Sequence, residues 1–144
     1  MVKHVWSALC QKSVVDATTN NISLIDIFER LEISPPKNVL KDKVAKVLVP
    51  VNFELVNLWS RANKKDEAVI STRVTFNGPS RKEMRHFEKE LIIPLGKTRM
   101  REIIKIQGLP VKESGIYTFV VSVKQSGQDN FTSVAEIPLE VVVS

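Results

Sequence analysis

Glu113-Ser-Gly-Ile-Tyr-Thr-Phe-Val-Val-Ser-Val-Lys124 decides the fold. A turn at Glu113-Ser114-Gly115 opens into strict alternation, with Tyr117, Phe119, Val121 and Val123 on one face and Thr118, Val120, Ser122 and Lys124 on the other. Side chains of a strand alternate with a period of two, so this is a long strand with one side in a core. A glycine turn feeding a Tyr-x-Phe-x-Val strand suits an antiparallel β-sandwich.

Working outward, the chain divides into about eight apolar runs separated by turn residues, the spacing of an all-β domain. The runs are His4–Gln11, Ile22–Ile33, Val47–Trp59, Ala68–Phe76, Ser80–Leu91, Met100–Gln107, the Tyr117 strand and Phe131–Val143. Asp16–Asn21 is a cluster of turn formers, and Ser34-Pro35-Pro36 ends the second run because proline donates nothing to a ladder. Lys37–Lys46 reads as a loop with one helical turn, Arg61–Glu67 as a charged turn, and Asn77-Gly78-Pro79 and Gly108-Leu109-Pro110 as tight turns.

Ser80–Leu91 is ambiguous. Ser80 and Glu83 have capping-box spacing, and Met84, Phe87 and Leu91 fit a helix face. Phe87, Leu91 and Ile93 fit a strand face equally, and an edge strand is favoured. Val141-Val142-Val143 is apolar on both faces, so it is either a covered central strand or an edge that pairs with another chain. The expectation is one domain over residues 1–144: a single-domain antiparallel β-sandwich of about eight strands.

Length and composition fit that reading. The 144 residues are 43% hydrophobic and 26% charged, enough for a core without low complexity. The single cysteine, Cys10, excludes an intrachain disulfide, and with only His4 and His86 a zinc site lacks ligands. This implies a reducing, cytoplasmic setting. Polar residues interrupt the N-terminal apolar run, so no secretory signal is expected, nor a membrane span. Met1 leads straight into the first run, which suggests a whole small protein.

The segments Cys10-Gln-Lys-Ser-Val-Val-Asp16 and Asn21-Ile-Ser-Leu-Ile-Asp-Ile-Phe28, with Gln107-Gly-Leu-Pro110 and Gly115-Ile-Tyr-Thr-Phe119, resemble a small uncharacterised bacterial family. The closing motif is also loosely immunoglobulin-like. The resemblance implies a β-sandwich and brings no activity, cofactor or site residues.

Searching for chemistry yields little. His4 and Cys10 lie six residues apart on one strand, about 20 Å, too far to form a nucleophile–base pair. Cys10 among Trp6, Ala8 and Leu9 reads as a small buried apolar group. Asp16, Asn20, Asn21 and Asp26 are too few for calcium and suit turns. No phosphate-binding glycine loop and no nucleophile elbow occurs. No catalytic, cofactor or metal residues are therefore expected.

The net charge is +5, and residues 79–105 hold eight basic against four acidic residues. Arg81, Arg85, Lys97, Arg99, Arg101 and Lys105 form the candidate anion or partner surface. Arg99, Arg101 and Lys105 share parity and would project from one face. Lys and Arg also guard strand edges against aggregation. The function expected is non-catalytic: a protein-interaction or self-assembly module. The alternative is anionic-ligand or nucleic-acid binding through the 81–105 face.

Overall fold

The computed structural model describes residues 1–34 and 47–144, and these form nine strands and no helix. They are β1 (Lys3–Val15), β2 (Ile22–Ile27), β3 (Arg30–Ile33), β4 (Val47–Ser60), β5 (Ala68–Asn77), β6 (Glu83–Ile93), β7 (Arg99–Val111), β8 (Gly115–Gln125) and β9 (Thr132–Val143). Two sheets result. The first has the order β2-β1-β4-β7, and the second, β3-β9-β8-β5-β6, curls into a half-barrel.

The Tyr117 strand behaves as its alternation requires. Tyr117, Phe119, Val121 and Val123 on β8 are all buried, and they pack with Leu9, Phe53, Leu55, Trp59, Ile70, Val74, Phe76, Ile106 and Leu139 into one core drawn from both sheets. Aromatic rings knit its centre. Phe119 meets Phe53 edge-on at 6.0 Å and Phe76 at 4.8 Å, within the range of favourable ring pairs. The Tyr117 hydroxyl donates to the Glu113 carbonyl at 2.7 Å and accepts from the Lys112 and Glu113 amides. It braces the β7–β8 turn as tyrosine corners do.

Three expectations need correction, and one open alternative is decided. The Ile22–Ile33 run is two strands, so the count is nine. Asp26 adopts a left-handed φ of 52°, Phe28 turns in against the Phe53 ring at 5.3 Å, and the chain crosses to the other sheet. Pairing is not wholly antiparallel, because β3 lies parallel to β9. That pairing decides between the two alternatives left open for Val141–Val143: β9 lies between β3 and β8 as an interior strand and is no free edge. Gly108-Leu109-Pro110 is not a turn, since β7 continues to Val111. The missing Pro110 donor is tolerated because β7 is an edge strand.

Other expectations stand. Ser80–Leu91 holds the edge strand β6, preceded by a tight turn in which Gly78 and Lys82 bond main chain to main chain at 2.9 Å. Asp16–Asn21 is a turn, its first carboxylate accepting from the Thr18 and Thr19 amides at 2.8 Å. The loop expected at Lys37–Lys46 lies outside the described residues. No helix among those residues is long and apolar enough to cross a membrane.

Candidate functional site

The six basic residues do not gather into one site. β6 and β7 follow one another in the chain but belong to different sheets. Arg85 shares register and face with the buried Phe76, so it points into the gap between the sheets, where it donates to the Gly108 carbonyl at 3.2 Å. Its guanidinium also lies 5.6 Å from the Phe87 ring centre. Arg81 is exposed in the β5–β6 turn with a φ of 65°, and Lys97 is exposed in the β6–β7 connection.

Arg99, Arg101 and Lys105 do project from one face of β7, the outer face of the first sheet, as their parity requires. Two are already engaged or offset. The Arg101 guanidinium donates to the Asn20 carbonyl, and Lys105 stands opposite Glu54 on β4. Of the three, Arg99 and Lys105 are exposed and Arg101 is half-buried. Arg61, part of the charged turn, is buried and donates to the Lys97 and Pro94 carbonyls at 2.9 Å each. It anchors the β6–β7 connection.

Two further features emerge from the packing. The first is an arm. β1 pairs with β4 only as far as Cys10, and beyond it residues 12–15 pair with β2 alone. This hairpin folds over the outer face of the first sheet. The Ser13 hydroxyl donates to Glu54 Oε1 at 2.5 Å, and the arm's tip receives Arg101 at Asn20. Beneath it Cys10 and Val56 are fully buried although they belong to the outer face and not to the main core. Burial pushes the Cys10 thiol up, and the Glu54 carboxylate adds to that against a weaker opposing bond from the Lys12 amide. Such a thiol is a poor nucleophile at neutral pH.

The arm exposes apolar side chains. Val14, Ile25 and Ile27 share its outer face with Lys12 and Ser23, Val15 lies on the Ser13 face, and these four apolar residues are 41–58% exposed. β2 is also an edge, and its only charge is Asp26. The other edges are guarded: β6 carries alternating acids and bases, β7 has Arg99, Arg101 and Lys105, and β3 is four residues long.

The second feature is a polar cluster inside the core. Glu102 on β7 is 1% exposed. Its Oε1 accepts from Asn57 Nδ2 at 2.9 Å and Trp59 Nε1 at 3.1 Å, and its Oε2 accepts from the Thr72 hydroxyl at 2.5 Å. Lys89 on β6 brings its ammonium to 3.8 Å of Oε2. Donors thus come from both sheets, and a buried carboxylate is tolerable only when so paired. The chain continues outward, because Ser7 donates to Asn57 Oδ1 at 2.5 Å and His4 Nε2 lies 2.6 Å from Ser7 Oγ. His4 meets the Trp59 ring edge-on at 5.4 Å.

His4 and Ser7 have the separation of a base and a nucleophile, but the Ser7 proton is directed at Asn57 rather than at the imidazole. In the sequence Glu102 is one of the four acidic residues that accompany the eight basic ones of 79–105. Its parity with Met100, Ile104 and Ile106 was the available sign that it faces inward.

No protein-family model matches this chain, and among curated protein sequences none is similar enough to count as a relative.

Proposed function

We propose that the protein is a non-catalytic interaction module, a cytoplasmic β-sandwich that binds another protein chain, its own second copy included, through the β1–β2 arm. The observation that carries this reading is the arm itself: exposed Val14, Val15, Ile25 and Ile27 beside a sheet edge with a single charge. Exposed apolar residues on an unguarded edge are the features by which an extended segment from another chain adds as a strand. The incoming main chain would satisfy the β2 amides and carbonyls, and its alternate side chains would cover the isoleucines. The raised thiol of Cys10 and the directed proton of Ser7 support a non-catalytic role. A free buried cysteine also suits a reducing compartment.

Binding of an anion or nucleic acid through Arg81, Arg85, Lys97, Arg99, Arg101 and Lys105 is the competing reading. It is weakened by the engagement of Arg85 and Arg101 within the fold. Affinity capture from native extract with the full chain separates the two. The arm reading expects a protein, or the chain's own copy, that survives nuclease and is lost with I25K/I27K. Capture abolished by nuclease, or lost with R99E/K105E while I25K/I27K retains it, would transfer the function to the basic face.

A further inference from the structure

The hydrogen-bond chain that begins at Glu102 determines where His4 holds its proton. A carboxylate only accepts, so Asn57 turns its Nδ2 toward Glu102 and its Oδ1 toward Ser7. Ser7 has one hydroxyl proton, and Asn57 Oδ1 takes it. His4 Nε2 must then donate to Ser7 Oγ. The neutral imidazole therefore carries its proton on Nε2 and leaves Nδ1 as a bare acceptor. Among the described residues no group donates to Nδ1, and this nitrogen is not among the buried atoms that lack a partner, so solvent reaches it.

His4 forms part of the wall of an open cleft of about 390 Å³, together with Val2, Val123, Gln128, Thr132 and Val134. The wall is braced, for Gln125 Nε2 donates to the Val2 carbonyl at 2.7 Å and Gln125 Oε1 accepts from the Val2 amide at 3.2 Å. Valines supply an apolar floor. Among the described residues no carboxylate lines the cleft, and Lys3 stands at it, so those residues offer a cationic ligand no counter-charge. An anionic oxygen would meet the bare Nδ1 lone pair. Burial holds the His4 pKa below its ordinary 6.5, which keeps the ring neutral at pH 7.

We propose that this cleft binds a small neutral molecule pairing one O–H or N–H donor, directed at His4 Nδ1, with an apolar body seated against Val2, Val123 and Val134. The buried cluster then has a second consequence besides joining the sheets, because Glu102 acts through Asn57 and Ser7 as a positioning residue for the imidazole. The cleft and the arm are separate sites.

The test uses two probes of nearly equal shape on the full chain, phenol and its methyl ether anisole, followed by NMR of valine methyls and the His4 ring nitrogens. Phenol should saturate shifts at Val123, Val134 and His4 Nδ1 with a dissociation constant of about 1 mM, and bind roughly tenfold more tightly than anisole. In the free protein at pH 7, Nε2 should be protonated and Nδ1 not. His4→Phe keeps a ring against Trp59 and should reduce phenol to the affinity of anisole. Ser7→Ala removes the constraint on Nε2 and should shrink the difference between the probes. The proposal is overturned if phenol and anisole bind equally, if neither shifts the cleft valines, or if the wild-type proton resides on Nδ1.

Discussion

The Glu102 cluster and the β1–β2 arm depart from the ordinary pattern in opposite directions. One places a carboxylate, an amide and a hydroxyl inside the core, and the other places isoleucines and valines in water. The interior departure is complete within the chain, since each Glu102 oxygen has donors and they arrive from both sheets. The exterior one is incomplete, since nothing among the described residues covers Ile25 or Ile27. A buried polar group that finds all its partners at home is a structural device. An exposed apolar edge without them points to a second molecule.

The comparison can be broken most forcefully from the inside. Glu102→Ala strips the acceptor from Asn57, Trp59 and Thr72 and leaves an unpaired cavity. A loss of about 3–5 kcal/mol in urea unfolding is expected, the scale for breaking a buried charged network. A loss below about 1 kcal/mol would mean water replaces the carboxylate and the cluster joins nothing.

A smaller effect is expected where the arm meets the body. The Arg101–Asn20 bond and the Ser13–Glu54 bond hold the arm over Cys10. Wild-type Cys10 should react slowly with iodoacetamide at pH 7.5, and Arg101→Ala should accelerate it several-fold by favouring local opening. Equal rates in the two proteins would show that the arm's cover does not depend on that latch.

Acid should separate the two regions by pH. The His4 pKa is lowered from 6.5 by burial, so folding favours its neutral form, and the stability it contributes is present above pH 6.5 and lost as pH falls further. The Asp16 carboxyl, at the arm's tip, is held below its ordinary 3.8 by the amide of Thr19, then that of Thr18, and the Thr19 side chain. Its contribution is present above 3.8 and disappears only in stronger acid. An NMR titration should therefore show changes around His4 begin first and those at Thr18 and Thr19 begin later. A His4 midpoint above 6.5 would contradict the desolvated ring.

The smallest expected effect on stability comes from the arm's outer side. Ile25→Lys with Ile27→Lys should change the unfolding free energy by no more than about 0.5 kcal/mol, as exposed substitutions do. A large loss would show that these isoleucines pack within the fold and are not an interaction surface.

Much of this was legible in the residues. Period-two alternation announced β8 and the face on which Tyr117 and Phe119 are buried, and the same parity places Arg99, Arg101 and Lys105 together on β7. Strand pairing was not legible, because alternation describes a strand's faces and says nothing of its neighbours. Hence Val141–Val143 could be central or edge until β3 was seen beside it. The division of Ile22–Ile33 was hidden for a related reason: the left-handed Asp26 interrupts an apolar run without any glycine or proline to announce it. The arm was equally hidden, since Ile25 and Ile27 look like core residues until the fold leaves them outside.

The most direct test of the arm as the interaction element is amide hydrogen exchange on the full chain, free and in its captured complex. Protection gained at Ile22–Ile27, with Arg99–Lys105 unchanged, is the predicted result. Protection gained at Arg99–Lys105 while the arm exchanges as in the free protein would contradict it.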